Sequence, residues 1–245
     1  MASENGGHST HQHPHAPFQR LAITLFPDDV QLGLNLGLFR TFAIPQIAKI
    51  LAGTGKMTQF PRARAKATGE IMYTLIRDGL DGPSGSDAIR ALNRLHARLP
   101  AEQQHFIYVL AAFCVTPMLW MQKNSARIPS NSEMNSAYSF YADLACRMNL
   151  AKIPENYAAL ALWMKEYESH NFTISPEGKA LYAATRGLIS ARFPSPLKRL
   201  GPSFTDALLD PPLRKALGAD DPGIVARLAV RAVLGLRRQR TLRRR

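Results

Sequence analysis

Cysteine is scarce in this chain, with only Cys114 and Cys146 among 245 residues. Two thiols make no disulfide framework, and their separation is not that of a zinc site. Both lie in apolar helical stretches, which predicts buried, reduced thiols. Acidic residues are absent after Asp221, where eight arginines follow. Aromatics make up only 8% of the chain, and none interleaves with those arginines, which argues against a stacking groove for nucleic acid. Period-two alternation is rare, so a β-sheet is not expected. A long apolar run is also missing. The longest uncharged stretch, Gln103 to Gln122, holds three glutamines, a histidine, a threonine and Pro117. It reads as a buried core helix rather than a membrane span, which needs about 20 mainly apolar residues. Met1 to Pro17 has no apolar segment of the kind that opens a signal peptide, so a cytoplasmic protein is expected, its arginine tail either a solvated, solubilising one or a peripheral contact to an anionic membrane.

What is present is a helical pattern. Apolar residues recur at three- and four-residue steps from Phe18 onward. Proline and glycine punctuation divides the chain into predicted helices near 29–39, 43–53, 61–78, 86–99, 101–121, 133–149, 155–169, 176–190, 203–209 and 223–239. Ser86-Asp87, Ser132-Glu133 and Ser175-Pro176-Glu177 read as helix starts. The expected fold is all-α. Residues 1–17, with His8, His11, His13 and His15, read as a disordered leader, 18–222 as one globular helical domain, and 223–245 as a basic amphipathic helix with an arginine tail. The net charge of +13 is largely a property of that tail, because positions 1–221 carry a surplus of only five. Within the tail helix, Ile224, Val225, Leu228, Ala232 and Leu236 form an apolar stripe expected to face the body of the protein or a bilayer.

His96 is the most informative residue. At about 100° per residue, Ile89, Leu92, His96 and Leu99 fall within an arc of roughly 80°. The imidazole therefore takes a slot on the apolar face of its helix. A buried imidazole needs partners for its nitrogens, and either a backbone carbonyl or a metal or haem iron answers that need. On the helix starting near Pro61, the core-facing stripe begins with Arg64 and Thr68 instead of apolar residues. Cations crowd its first two turns, where the helix dipole disfavours them. A haem propionate or a substrate carboxylate would answer both features, as would an Arg64 whose stem covers the core and whose head reaches water.

Other chemistries are poorly represented. Gly53-Thr54-Gly55-Lys56 is a fragment of a phosphate loop without its upstream glycine or preceding strand, and reads as a turn. No Gly-x-Ser-x-Gly, His-Glu-x-x-His or Cys-x-x-Cys pattern occurs. His105 reads as a surface residue at a helix start, His170 as a helix C-terminal group facing the dipole, and Asp78 and Asp81 as turn residues.

The ordered series Arg40-Thr41-Phe42-Ala43-Ile44-Pro45-Gln46-Ile47-Ala48, Gly53-Thr54-Gly55-Lys56, Arg64-x3-Thr68, Asn93-Arg94-Leu95-His96 and Tyr108 to Phe113 with Pro117 resembles the catalytic domain of the MpaB / rubber oxygenase family, which includes the latex-clearing proteins. Tyr138 to Met148 and Tyr167 to Pro176 are also similar, so the resemblance covers roughly residues 30–220. It implies an all-helical fold holding haem b, with His96 as axial ligand to the iron and Arg64 and Thr68 beside the haem. It also implies an oxygenase that uses dioxygen on an apolar, terpenoid or other isoprenoid, substrate, with oxidative cleavage of a carbon–carbon double bond or a related oxygenation. Two positions depart from the rubber-cleaving branch. Ala67 stands where that branch has lysine, and no glutamate occurs between Glu4 and Glu70 to match its upstream one. A small apolar molecule is therefore expected rather than rubber. The rival reading is a non-catalytic helical protein that docks on anionic membrane or nucleic acid through its arginines.

Overall fold

In a computed structural model, residues 13–190 and 201–243 are described. They form α1 (Ala16–Arg20), a π-helical turn (Leu21–Leu25), α2 (Pro27–Phe42), α3 (Pro45–Gly53), α4 (Lys56–Gln59), α5 (Pro61–Asp78), α6 (Pro83–His96), α7 (Gln103–Asn124), α8 (Asn131–Arg147), α9 (Tyr157–Asn171), α10 (Pro176–Ser190), α11 (Gly201–Asp206), α12 (Pro211–Ala216) and α13 (Gly223–Arg243). Among the described residues there is no strand. The all-α reading holds.

Local chemistry explains most helix starts. Pro27 opens α2 with its φ already set, and Asp28 and Asp29 place negative charge on the positive end of the helix. Ser130, not Ser132, caps α8. Its hydroxyl accepts from Glu133 N at 3.2 Å, while the Glu133 carboxylate accepts from Ser130 N at 2.7 Å. Ser175 caps α10 as expected, accepting from Gly178 N at 3.0 Å. The helix of His96 begins at Pro83, three residues before the expected Ser86 start, because proline at the first position sets the turn.

The central packing pair is α2 against α7. Gly33 and Gly37 let the two backbones approach. A Cβ at Gly33 would lie 2.4 Å from Pro117 Cα, and one at Gly37 would lie 2.8 Å from the Ala112 carbonyl oxygen. Around this pair α8 and α9 pack on α7, and α10 crosses α2 and α3. The core holds Phe18, Phe42, Tyr108, Phe140, Tyr141 and Phe204, all fully buried. Each large apolar side chain so buried contributes about 1.5–3 kcal/mol. The α7 stretch is long and apolar enough to span a membrane, but most of it is buried inside the protein.

The structure corrects several expectations. The leader is not unstructured to Pro17. His15 is buried, its Nε2 lies 2.9 Å from Asp143 Oδ2, and Ser136 Oγ donates to Pro14 O at 2.7 Å. Residues 1–12 lie outside the described residues. Cys114 is buried, but Cys146 is exposed. His105 is buried instead of on the surface. As the third residue of α7 it accepts from Glu102 N at 3.2 Å, completing a capping box. His170 meets its expectation and donates Nδ1–H to Glu166 O at 2.7 Å at the end of α9. The apolar stripe of the tail helix does not pack on the body. Ala226 and Val230 face inward, while Ile224, Val225, Leu228 and Leu236 face away.

Candidate functional site

α5 and α6 are consecutive, joined by a short turn and packed against each other. The start of α5 therefore meets the end of α6. This arrangement brings Arg64, one turn into α5, near His96, the last residue of α6. Arg64 Nη1 donates to Thr68 Oγ1, and Thr68 Oγ1 donates back to Arg64 O at 2.9 Å. The pair forms a closed one-turn unit on α5. Arg64 is partly buried, and burial pushes its guanidinium pKa below the usual arginine value. Among the described residues, no carboxylate pairs with it.

His96 Nδ1 is buried without a hydrogen-bond partner. The ring is held instead by Phe106 of α7, with centroids 4.8 Å apart and planes tilted by 37°. Burial, and then the positive charge of Arg64, hold the imidazole pKa below 6.5. The side chain is thus a neutral base at pH 7, the form that ligates metals. This is opposite to what the helix end favours, because a C-terminus attracts cationic histidine. The three residues singled out in the sequence, His96, Arg64 and Thr68, converge at one end of the α5–α6 pair.

His96 offers a single imidazole donor. Among the described residues, no three His, Cys, Asp or Glu side chains converge to cage an ion. A metal at His96 would take one ligand from the protein and the rest from another donor set, as a macrocycle provides. An unpaired, partly buried guanidinium close by suits the carboxylates that such a macrocycle carries. The turn Gly53-Thr54-Gly55 links α3 to α4, with Gly55 at φ 67°, and builds no phosphate cradle. A cavity of about 10 Å³ lies between Leu110, Ala111, Tyr141, Ala145 and Leu160. A wide surface cleft of about 420 Å³ is lined by His13, Pro17, Ser132, Asn135 and Ser139. Neither includes His96, Arg64 or Thr68.

Sequence reasoning missed a second polar cluster. Arg40 is gripped by Glu168, with Nε to Oε1 at 2.6 Å and Nη2 to Oε2 at 2.5 Å. Its Nη1 donates to Asp210 Oδ2 at 2.5 Å. Tyr108 Oη donates to Glu168 Oε1 at 3.0 Å, and Arg40 sits 5.6 Å over the Phe172 ring. Arg40, Tyr108 and the Tyr167 to Pro176 run are each visible in the sequence. Their junction across 128 residues is not.

The family described as "ER-bound oxygenase mpaB/B'/Rubber oxygenase, catalytic domain" matches residues 30–239. A relative named "ER-bound oxygenase mpaB'", from Penicillium brevicompactum, is 21% identical over 207 residues, covering 77% of this chain and 49% of the relative. The chain thus spans about half the length of that curated relative. No solved structure matches. With most of its length matched from α2 into α13, the chain belongs to the mpaB/B'/rubber oxygenase catalytic-domain family.

Proposed function

We propose that this protein is a haem b-dependent oxygenase that acts with dioxygen on a small apolar substrate, terpenoid or otherwise isoprenoid. The observation that carries the reading is the meeting of a neutral, half-buried His96, its Nδ1 buried without a partner, with an Arg64 that has no carboxylate partner among the described residues, at one end of the α5–α6 pair. His96 would be the iron ligand, Arg64 would meet a propionate, and Thr68 would fix the Arg64 head through their mutual hydrogen bonds. When bound, haem supplies the dioxygen chemistry that no side chain here can perform. The chain's own contribution is positional. Phe106 orients the imidazole, and burial with the Arg64 charge keeps it unprotonated and ready to ligate. Membership of an oxygenase family favours this reading over a non-catalytic docking protein.

The test is direct. Purified protein titrated with hemin should develop a Soret band that saturates at one haem per chain. The loaded protein should then consume oxygen with at least one member of an isoprenoid panel. No saturable Soret band would defeat the cofactor assignment. A Soret band without oxygen uptake would leave a haem-binding protein and defeat the oxygenase assignment.

A further inference from the structure

The tail helix α13 carries an exposed apolar face. Ile224, Val225, Leu228, Leu236 and Leu242 are between 56% and 74% exposed. On a helical projection of about 100° per residue, these residues and Ala232 occupy an arc of about 120°. The opposite arc belongs to the protein. Ala226 and Val230 are buried there, Val233 and Leu234 pack against the core, and Arg237 reaches Asp28 and Asp29 of α2 at 3.5 and 3.8 Å. The helix is therefore fixed to the body along one side, with its apolar arc turned outward.

The charges define what covers that arc. Arg227, Arg231 and Arg238 lie along one border of it and Arg240 along the other. All four are exposed. Arg227 pairs with Asp221 at 2.6 Å, while among the described residues Arg231, Arg238 and Arg240 have no carboxylate partner. No acidic residue follows Asp221 in the chain. A second copy of α13 laid on this face would set arginine against arginine. A nucleic acid would meet the arginines and leave the leucines in water. A lipid surface satisfies both parts, because acyl chains cover the arc and anionic headgroups meet its cationic borders.

We propose that α13 is an in-plane anchor that seats the domain on an anionic lipid bilayer, with Ile224, Val225, Leu228 and Leu236 immersed and the flanking arginines at the phosphate level. This goes beyond the oxygenase reading and holds whatever chemistry occurs at His96.

Co-sedimentation of the full chain with vesicles tests it, using phosphatidylcholine alone and phosphatidylcholine mixed with phosphatidylserine. Wild type should bind the anionic vesicles strongly and the neutral ones weakly. Binding should fall about fivefold for each arginine removed in Arg231→Gln and Arg238→Gln. Leu228→Glu with Leu236→Glu should abolish binding while leaving the far-UV spectrum and Tm unchanged, since both side chains are exposed. In Leu228→Trp, the added indole emission should shift to the blue on anionic vesicles. Wild-type binding by the double glutamate variant would overturn the proposal, as would an unshifted emission from the introduced indole in bound protein. Absence of vesicle binding, with a dimer that the glutamates dissolve or with tight binding to a DNA duplex, would also overturn it and assign the face to that partner.

Discussion

Arg40 and Glu168 lock α2 to α9 through two near-parallel hydrogen bonds of 2.6 and 2.5 Å, with both side chains almost wholly buried. Breaking such a pair leaves an uncompensated buried charge and typically costs about 3–5 kcal/mol. Glu168→Ala should therefore lower Tm by about 10 °C in a thermal melt, given about 2–4 °C per kcal/mol for a chain of this size. Asp210→Asn should cost much less, because that carboxylate is 40% exposed and Arg40 keeps its main partner. Equal melting of Glu168→Ala and wild type would show that the pair adds nothing to stability.

That same pair marks the boundary of what the sequence reveals. Local signals place helices well. The bounds of α5 and α10 coincide with the expected 61–78 and 176–190, because Pro61 and Pro176 open them and Gly79 ends the first. His96, Arg64 and Thr68 are also legible, since polar residues interrupt apolar faces at helical spacing. Contacts between distant segments are another matter. Nothing local to Glu168 marks it as the partner of Arg40 and Tyr108, which only folding sets against it. His105 looks exposed at a helix start, yet while Gln103 and Gln104 face solvent, His105 turns inward and closes the capping box with Glu102. The rotation of α13 is open in the sequence for the same reason. It offers apolar residues on two sides, and only contact with α11 and Asp28 selects which side turns inward.

Gly33 is a sharper test of the α2–α7 contact. An added methyl would meet the Pro117 backbone at 2.4 Å, so the helices must separate. Overpacking of this kind costs about 1–3 kcal/mol or more. Gly69, within α5, has nothing within 4 Å of the place where a Cβ would go. Alanine there should instead raise stability by about 0.5–1 kcal/mol through helix propensity. Urea unfolding of Gly33→Ala and Gly69→Ala should thus move the midpoint in opposite directions.

Acid should weaken the fold over a defined range. Burial lowers the pKa of His15 below 6.5 despite its contact with Asp143, and burial lowers that of His105 despite Glu102. In the unfolded chain both imidazoles take up protons near their ordinary value, while in the folded chain they resist. The unfolded state then binds more protons, so stability increases with pH and declines as pH falls below about 6.5. Tm should be nearly flat above neutrality and decrease toward pH 5.5. His15→Gln with His105→Gln should reduce that slope to the part that His96, lowered in the same way, contributes, with glutamine at 105 keeping the capping box. An unchanged slope in the double variant would assign the acid sensitivity to other groups.

The site itself is tested by separating ligand from counter-charge. His96→Ala removes the only residue proposed to ligate iron, and its side chain holds no internal hydrogen bond at Nδ1 whose loss would disturb α6. The Soret band of hemin-titrated protein should disappear or broaden to that of loosely held hemin, with the helical far-UV signal unchanged. Arg64→Gln should act differently. It keeps the hydrogen-bond reach to Thr68 but loses the charge, so the Soret position should persist while hemin affinity falls by about tenfold. That magnitude corresponds to about 1–2 kcal/mol, below the range for a fully buried pair because Arg64 is partly open to solvent. A His96→Ala protein with a native Soret band would move the ligand to another residue. An Arg64→Gln protein with unchanged affinity would place the propionates away from α5 and leave the Arg64–Thr68 contact as a purely helical one.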